Sequence, residues 1–541
     1  MALALLWAAT GCGGGGTPPV QQSTAPPSPP VQQQQHHTTV TTYHNDNSRS
    51  GVNPNETTLT PGNVNVVSFG KIATVPVEGE VYAQPLYISD VRMPDGNNHN
   101  LVIVATQHDQ VYAIDADTRT VLWQRSFLDQ AGLVTPVPAS DTNCDAVANE
   151  VGITGTPVID TTADTIDLVV RTKETQGGQP FYYQRLHALR LTNGQDKVQP
   201  TVITSPSNDN GQFGSAQFDP LQNMQRSALL LANGQIYVAW ASNCDLGGSG
   251  WFMSFDATTL EFTGAWTPTP SGILGGIWMG AAGPATDASG DIYVAIGNGW
   301  TDAPSGGDNY GSALVRLHPS GVTFTVADYF MPWDFSDLDN GDLDLGASGP
   351  VLLPAQPGAA HPNLLVVTGK DGTTYLLDRD NLGKWHPDHD SQILESFQND
   401  TGEAFCTPAF WNNTLYCAVT QDSLKAYAFD PVTEQINPTP ISASNPIRFG
   451  WPGATPAISA DGRQDAIVWI LQTDRYSMDN GYSVLRVFDA TDLSHELYDT
   501  EMSLDRDHPG IAVKFTVPTV ADGKVFVGTH NELDVYGLLS R

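Results

Sequence analysis

One phrase returns eight times after residue 65, and this repeat constrains the fold more than any other feature of the sequence. Each copy contains a short strand, usually entered through a small residue and proline, then an apolar strand, a polar turn and a strand that ends near aspartate. A unit of this kind buries its apolar faces only against neighbouring copies, as the blades of a β-propeller do. The sequence therefore predicts an all-β, eight-bladed propeller. The third strands begin at residues 111, 186, 252, 314, 374, 426, 485 and 533.

The two ends of the repeat array complement each other. The last unit ends at Arg541 before a fourth strand, whereas the apolar stretch FGKIATVPV at 69–77 precedes the first unit and belongs to none. Pairing the two stretches would remove two open sheet edges. We therefore expect a closed ring, in which the strand at 69–77 completes the last blade by pairing with residues near 533–539.

The N-terminal region differs in composition from the repeats. Residues 1–12, MALALLWAATGC, resemble the lipobox of bacterial lipoproteins and predict lipidation of Cys12, although a plain secretory signal or a misplaced start codon would also fit. The apolar run is too short to span a bilayer. Residues 13–42 are rich in Gly, Pro, Gln and Thr and predict a disordered tether. The propeller is expected over residues 43–541.

The charge balance restricts the partners. The chain has 58 acidic and 24 basic residues and a formal net charge of −34, which opposes binding to nucleic acid or to an anionic membrane surface. We expect an exported, periplasmic or cell-surface protein that binds a small-molecule ligand or another surface protein and meets the membrane only through its lipid anchor. No C-x-x-C-H motif occurs, so no c-type haem is expected.

Loops from distant repeats should meet at one face of the propeller. Loops between second and third strands share a face with the connections between blades, and ligands commonly bind there. This pattern brings together the stretch SNCDLGG at 242–248, Cys144, Asn298, Lys370 and the acidic run at 334–346.

Two cysteines belong to this face. Cys144 lies in the connection that leads to the second blade, and Cys244 lies in the SNCDLGG turn. An exported chain meets oxidising conditions, so we expect a Cys144–Cys244 disulfide that holds the neighbouring Asp245 in place. Two unrelated buried thiols are the alternative.

The stretch AIDADTRTVLW at 113–123 resembles the tryptophan-docking repeat of the quinoprotein alcohol dehydrogenases, eight-bladed propellers that hold pyrroloquinoline quinone (PQQ) and calcium. That repeat also occurs in non-catalytic relatives, so it supports the fold rather than the chemistry. A more specific resemblance covers Gly275–Leu353, where GGIWMGAAGPATD, GDIYVAIGNG, GGDNYGSALVRL and DYFMPWDFSDLDNGDLDLGASGPVLL follow the family's order of segments.

The resemblance implies roles for individual residues. Trp278 takes the position of the tryptophan that stacks under PQQ, and Asn298 that of a calcium ligand. Asp344 or Asp342 takes the position of the catalytic base, and Asp344 is also a candidate calcium ligand. Lys370, in GKDGTTYLLDR, takes the position of the basic residue that contacts the quinone oxygens.

The SNCDLGG turn resembles a family loop that carries a serine and a calcium-binding glutamate, which places Ser242 against the cofactor and Asp245 on the metal. Asp245 is one methylene shorter than glutamate. The family commonly covers PQQ with a disulfide between adjacent cysteines, and here only Cys144 occupies that connection. The resemblance implies a calcium- and PQQ-dependent dehydrogenase of an alcohol or a sugar-like substrate. The alternative is a non-catalytic cell-surface binding or scaffold propeller that has lost the cofactor.

Overall fold

The computed structural model describes residue 13, residues 38–398 and residues 402–540. Cys12, the lipobox-like segment and residues 14–37 of the expected tether lie outside the described residues. One compact unit spans His37–Arg541. Its first strand, Thr39–Val40, falls inside the range expected to be tether, because it pairs with the strand Leu86–Arg92 and is thereby part of the folded unit.

Short strands separated by turns make up most of the described chain. The strands of its first half are β1 (Thr39–Val40), β2 (Val52–Asn53), β3 (Phe69–Glu80), β4 (Leu86–Arg92), β5 (Asn98–Thr106), β6 (Gln110–Asp115), β7 (Val121–Ser126), β8 (Val134–Pro138), β9 (Glu150–Val151), β10 (Val158–Asp160), β11 (Thr165–Gln176), β12 (Gln179–Arg190), β13 (Thr201–Val202), β14 (Asn223–Met224), β15 (Leu230–Ala232), β16 (Gln235–Ser242), β17 (Trp251–Asp256) and β18 (Phe262–Trp266).

The second half continues in the same way. Its strands are β19 (Ala285–Thr286), β20 (Ile292–Ala295), β21 (Leu314–Ser320), β22 (Thr323–Phe330), β23 (Val351–Leu352), β24 (Leu364–Thr368), β25 (Thr373–Asp378), β26 (Glu395–Gln398), β27 (Ala409–Trp411), β28 (Thr414–Cys417), β29 (Lys425–Asp430), β30 (Gln435–Ile436), β31 (Ser442–Ala443), β32 (Ala457–Asp461), β33 (Gln464–Gln472), β34 (Val484–Asp489), β35 (Asp492–Asp499), β36 (Thr519–Ala521), β37 (Lys524–Gly528) and β38 (His530–Leu538).

Helices are few and short. The α-helices of the described residues are α1 (Ala139–Thr142), α2 (Phe335–Asn340) and α3 (Leu504–Asp507). Single 3₁₀ turns cover Asn243–Asp245, Met279–Ala281, Ala303–Ser305, Leu345–Ala347 and Thr500–Ser503. The chain is therefore all-β, as the repeat predicts, and no helix in the described ranges is long and apolar enough to cross a membrane.

The strands of the described residues form seven sheets of mainly antiparallel neighbours. The nine-stranded sheet consists of two antiparallel groups, β14 to β18 and β19 to β22, joined by a single parallel pair between Ala265 and Thr323. If these two groups are counted separately, the described residues contain eight groups of strands. This number equals the number of sequence repeats. The orders of the remaining sheets are β1-β4-β5-β6-β7, β13-β12-β11-β8-β9 with β10 on β11, β2-β32-β33-β34-β35, β23-β24-β25-β26, β27-β28-β29-β30 with β31 on β29, and β3-β38-β37-β36.

The expected pairing of the chain ends is confirmed. Strand β3 runs antiparallel to β38, from the Phe69–Leu538 pair to the Glu80–His530 pair. The strand extends beyond the expected residue 77 and its register shifts between Pro76 and Glu80. Proline donates no hydrogen bond there, and Gly79 adopts a positive φ of 92°, so this end of the strand forms a bulge.

Apolar faces of successive sheets pack against each other. Leu101 and Ile103 of β5 share a core cluster with Ile166 and Leu168 of β11. Trp123, the last residue of the docking repeat, donates its indole N–H to the carbonyl oxygen of Leu191 at 2.7 Å. Its ring lies where a side chain on Gly194 would be, and a Cβ there would come within 2.5 Å of the ring. The tryptophan thereby fastens the first repeat to the second.

Residues 38–53, called the central segment below, hydrogen-bond to the first strand of every group. Its contacts follow the order of the repeats, so a stretch that looks like a polar loop holds eight distant units together. In order, the partners are β4, Ile159, Leu231, Thr286, Leu352, Phe410, Ile458 and Val520.

Arg49 belongs to the central segment and is fully buried. Its Nε donates to the Pro284 carbonyl oxygen at 3.0 Å and its Nη2 to the Leu229 carbonyl oxygen at 3.2 Å. Its Nη1 donates to Thr42 Oγ1 at 2.7 Å and to the Tyr43 carbonyl oxygen at 2.9 Å. Every guanidinium nitrogen therefore has a partner, which is the condition under which a buried cation is tolerated.

Candidate functional site

Cys244 of the SNCDLGG turn forms a disulfide, and Asp245 is the next residue in the chain. Cys144 and Cys244 form a disulfide with an S–S distance of 2.00 Å and Cα atoms 5.6 Å apart, so the pairing expected from the sequence is confirmed. Cys144 follows α1 and a left-handed Asn143, and Cys244 itself has a positive φ of 45° in its 3₁₀ turn. The bond ties the connection before β9 to the loop after β16.

Asp245 follows the disulfide directly, also with a positive φ, of 52°. Asp245 as a whole is solvent-accessible on its loop. Desolvation of its carboxyl group, together with the negative charges of Asp344 and Asp342, raises the pKa of Asp245 to about 6. A carboxyl group that resists ionisation gains most from a nearby cation, and this property is common among functional carboxylates.

Asn298, Asp342, Asp344 and Lys370 are in direct contact. The Asn298 backbone N–H donates to Asp344 Oδ1 at 2.7 Å, and its side-chain Nδ2 donates to Asp342 Oδ1 at 3.0 Å. Lys370 Nζ donates to Asp342 Oδ2 at 2.8 Å and lies 3.9 Å from Asp344 Oδ2. The structure thus brings together four residues that the sequence assigns to one face.

The two aspartates differ in environment. Asp344 is buried, and that burial raises the pKa of its carboxyl group, while the Asn298 N–H and Lys370 act in the opposite direction. The side chain of Asp342 is 70% exposed. Gly297 lies against Asp344, because a Cβ at this position would come within 2.8 Å of Asp344 Oδ1. Asp344 is therefore the enclosed carboxylate of the site and Asp342 the accessible one.

Two polar atoms of the site are buried without a hydrogen-bond partner. They are Asn298 Oδ1 and Ser242 Oγ. Buried side-chain oxygens are normally paired, so unpaired ones call for an explanation, such as a ligand or an ion. Both belong to residues that the family resemblance assigns to metal or cofactor.

The donor chemistry fits calcium. Asn298 Oδ1 and the carboxylates of Asp245 and Asp344 are hard oxygen ligands of the kind that calcium prefers. Across residues 38–398 and 402–540, however, no group of three or more His, Cys, Asp or Glu side chains could hold a metal ion. A calcium site here would therefore need the Asn298 amide and additional oxygens from a ligand. That Asp245, Asn298 and Asp344 share one ion stays a prediction.

Trp278 belongs to a continuous group of aromatic rings, called the aromatic cluster below. Its ring lies 6.0 Å from that of Phe405. The Phe405 ring in turn lies 5.5 Å from Trp451 and 5.9 Å from Phe515, which are 5.7 Å from each other. Tyr476 extends the group, 5.6 Å from Trp451. Only Phe405 is buried, and the other four rings are partly accessible.

Three cations face these rings. Lys370 Nζ lies 5.7 Å from the centre of the Phe405 ring. The Arg226 guanidinium carbon lies 5.7 Å from the ring centre of Phe515 and 5.2 Å from that of Tyr82. Lys514 Nζ lies 5.2 Å from Trp451 and 5.1 Å from Tyr476. Among these residues, only Lys370 and Trp278 are predicted from the sequence.

Most residues of the aromatic cluster that were not predicted occupy recurring positions in the repeats. Phe405, Trp451 and Phe515 each stand a few positions before the proline that opens the first strand of their repeat, as Trp278 does. Arg226 occupies the equivalent place before the one repeat that has no such proline. Trp278, Phe405, Trp451, Phe515 and Arg226 each lie within 6.0 Å of another member of this set. The loops before these first strands therefore converge at one place, called the mouth below.

The whole fold is similar to those of solved propellers. The quinohemoprotein alcohol dehydrogenase from Comamonas testosteroni superposes with a TM-score of 0.60 and 14% identity, over 93% of this chain and 81% of that one. A europium-containing methanol dehydrogenase superposes with a TM-score of 0.57 and 13% identity, over 92% of this chain and 98% of that one. BamB from Moraxella catarrhalis superposes with a TM-score of 0.50 and 10% identity, over 87% of this chain and 99% of that one.

No protein-family model and no curated protein sequence matches the chain. At these low identities the structural likeness establishes the fold alone. The chain is a β-propeller of the type found in quinoprotein dehydrogenases, as the tryptophan-docking repeat implies. Its chemistry must be argued from the residues at the mouth.

Proposed function

We propose that this chain is an exported, calcium- and PQQ-dependent dehydrogenase of an alcohol or a sugar-like substrate. The observation that carries the proposal is the contact group of Asn298, Asp344 and Lys370, with the buried Asn298 Oδ1 left unpaired. Trp278 offers a partly accessible ring near this group, because a Cβ on Gly297 would lie 2.8 Å from Asp344 Oδ1 and 3.4 Å from Trp278 Nε1. PQQ, when bound, would supply an electrophilic carbonyl carbon that accepts the hydride of the alcohol carbon.

The residues have separate roles in this proposal. Trp278 would stack on the cofactor, and Lys370 and Ser242 would hydrogen-bond to it. Asp245, Asn298 and Asp344 would supply oxygens to calcium. The disulfide formed by Cys144 would limit access of water to this region and keep Asp245 near the metal.

Asp344 is the better candidate for the base that takes the hydroxyl proton of the substrate. Its burial raises its pKa, and a carboxylate with a raised pKa is a stronger proton acceptor at neutral pH. Lys370, 3.9 Å from Asp344 Oδ2, would favour the ionised form that the reaction requires. Asp342 is the second candidate, because it bonds to the same lysine and is accessible.

The alternative function is a non-catalytic binding or scaffold propeller at the cell surface. One observation favours it: the Lys370 ammonium already compensates the charge of Asp342 at 2.8 Å. A carboxylate whose charge is already paired with a lysine needs a metal less. Calcium binding therefore separates the two functions.

The test is reconstitution of the full chain with PQQ and calcium chloride, followed by gel filtration. The dehydrogenase predicts co-eluting PQQ absorbance, about one calcium per chain and reduction of an artificial dye by alcohols. Asp344→Asn should abolish dye reduction while PQQ still binds, and Asp388→Asn, on an exposed loop, is the matched control. Absence of retained PQQ and calcium would leave the scaffold function.

We further propose that the eight groups close into a ring with the last blade completed by β3. The supporting contacts join the last group to the first: Gln84 Nε2 donates to Thr519 Oγ1 at 3.1 Å, and Lys524 Nζ bonds to Asp117 at 2.8 Å. The proposed location is the periplasm or cell surface with a lipid anchor at Cys12. Metabolic labelling with palmitate and a Cys12→Ser variant test the anchor.

A further inference from the structure

We propose that a cavity on the face of the propeller opposite the mouth binds a neutral oligosaccharide. The cavity has a volume of about 860 Å³, which lies within the range typical of ligand sites. The central segment and four consecutive groups of strands, from β19 to β35, contribute its lining. The site goes beyond the proposed function, because its lining includes neither the residues of the mouth nor those in contact with Lys370.

The position of the cavity follows from the ends of the first strands. The mouth lies where first strands begin, whereas the cavity is lined by residues at which first strands end. These residues are Thr286 of β19, Leu352 of β23 and Trp411 of β27. The two ends of a strand lie at opposite edges of its sheet. The turns after the first strands therefore meet on the face away from the mouth, where Asp46 and Ser48 of the central segment join them.

Polar side chains of the lining have hydrogen-bonding capacity that the fold leaves unused. Arg379 is 7% exposed, and its buried Nε has no partner. Its Nη2 donates to the Leu353 carbonyl oxygen at 3.4 Å, and its Nη1 lies 3.9 Å from Asp287 Oδ2. Asn412 and Asn413 form the exposed turn between β27 and β28, and their side-chain amides bond to no other group among residues 38–398 and 402–540. A ligand that carries both donors and acceptors would complete these groups.

A second cavity of about 540 Å³ adjoins the first and extends the site. The residues that line both cavities are Pro354, Ala355, Phe410, Asn413 and Arg463. Gln356 lines the second cavity, and its Oε1 is buried without a hydrogen-bond partner. Each cavity thus has a buried polar atom that the protein does not pair. A cleft made of two adjoining cavities favours a ligand of several linked units over a single small molecule.

The charges of the first cavity favour a neutral ligand. Its charged residues are three aspartates and two arginines, Asp46, Asp287, Asp380, Arg379 and Arg463. Asp46 accepts a hydrogen bond from the Ser48 hydroxyl at 2.7 Å, and Asp287 accepts one from the Tyr293 hydroxyl at 2.9 Å. Carboxylates that already have donors attract a cation less, and the net charge of −34 repels an anion.

The lining combines these polar groups with apolar surface. Leu353, Pro354 and Phe410 supply the apolar part, beside the amides of Asn412 and Asn413. A purely apolar ligand would leave the polar groups without partners, and a small polar ion would not cover the apolar surface. A sugar chain presents hydroxyl groups that donate and accept, together with C–H faces that pack on apolar side chains. A neutral oligosaccharide therefore matches the whole cleft.

The test is calorimetric titration of the full chain, without added PQQ or calcium, with cellotetraose, maltotetraose and chitotetraose, and with anionic tetragalacturonate. We expect at least one neutral sugar to bind about tenfold more tightly than tetragalacturonate. Replacing Asn412 and Asn413 together by glycine keeps their positive φ and should weaken that binding about tenfold, because two side-chain amides are lost. Asn480→Gly, at an exposed asparagine with a φ of 55° outside the cleft, should bind normally. Ala355→Trp, at an exposed alanine that lines both cavities, should abolish binding.

Three results would overturn the proposal. They are no binding of any of the three neutral sugars, unchanged binding by Ala355→Trp, and full displacement of the sugar by PQQ in the presence of calcium. Either of the last two results would assign the sugar to another site, in the third case the mouth. Failure to retain PQQ leaves the cleft on the opposite face unaffected, so this proposal and the proposed function fail separately.

Discussion

Arg49 in the central segment and Arg226 at the mouth are both buried arginines, and burial lowers the pKa of each to about 10. All three guanidinium nitrogens of Arg49 donate hydrogen bonds to oxygens of the fold. At Arg226, Nη1 donates to a carbonyl oxygen and Nη2 has no partner. The fold thus satisfies all guanidinium nitrogens of Arg49 and leaves one nitrogen of Arg226 without a partner.

The carboxylates follow the same division. Asp46 of the central segment accepts hydrogen bonds from the hydroxyl groups of Ser48 and Ser50. At the mouth, Asp245 and Asp344 have raised pKa values because of desolvation. Desolvated carboxylates and buried unpaired oxygens such as Asn298 Oδ1 reduce stability, and proteins tolerate them mainly where a ligand completes them. We therefore expect that substitutions of charged side chains in the central segment destabilise the fold, whereas substitutions of charged side chains at the mouth mainly alter binding.

The largest expected effect is that of Arg49→Met. The variant leaves four buried oxygens without a donor, at about 1 to 3 kcal/mol each. We expect a loss of about 5 kcal/mol or more, or failure to fold, measured as the midpoint of urea unfolding. Arg92→Met, at an exposed arginine, is the control and should change stability by less than about 0.5 kcal/mol. Equal midpoints for the two variants would contradict a structural role for the central segment.

The next effect concerns the Cys144–Cys244 disulfide at the mouth. Replacing Cys144 and Cys244 by serine opens a loop with a sequence separation of 100 residues. In the chain-entropy model this costs about 4.7 kcal/mol, and the urea midpoint should fall accordingly. Peptide mapping without reduction should find Cys144 linked to Cys244 and free thiols at Cys406 and Cys417. A linked Cys406–Cys417 peptide would contradict this assignment.

The fold could be predicted well because its determinants are local and repeated. Strand alternation and turns recur in every unit, and the unpaired stretch at 69–77 pointed to β38 as its partner. The central segment could not be predicted. Its sequence TTYHNDNSRSG is polar, and its order depends on hydrogen bonds to eight groups far away in the chain. No local pattern indicates that Arg49 will be fully buried.

The site was predictable only where a family resemblance supplied positions. Asn298, Asp344 and Lys370 meet as expected. Arg226 and Lys514 carry no motif, because a cation that lacks a partner differs from a surface cation only in its three-dimensional surroundings. The recurrence of aromatic residues before the first strands was visible in the sequence, but its meaning depends on the convergence of those loops at one mouth.

A smaller effect should appear in the pH dependence of Asp245→Asn. The folded-state pKa of Asp245, about 6, lies above its ordinary value, so the protonated carboxyl group favours the folded state. That contribution is complete below about pH 4 and is lost as the pH rises through about 6. The variant should therefore gain stability relative to the native chain as the pH rises from 4 to 7. Calcium-free unfolding curves at both pH values provide the measurement, and a parallel response of the two proteins would contradict the shifted pKa.

The smallest effect is expected for the stability of Lys514→Met, which reverses the outcome expected for Arg49. Lys514 forms no ion pair in the described part of the chain. Burial and the Arg226 charge lower its pKa, against the opposing charges of Asp145 and Glu80, so its charge costs stability at neutral pH. The variant loses two cation–π contacts but no longer holds a desolvated ammonium next to Arg226. These two effects on stability oppose each other. We expect the free energy of unfolding in urea at pH 7 to change by no more than about 1 kcal/mol, with a neutral or stabilising sign. A loss above about 2 kcal/mol would place Lys514 with Arg49 among the residues that the fold requires, and the distinction between a satisfied centre and a mouth left open for a ligand would then fail.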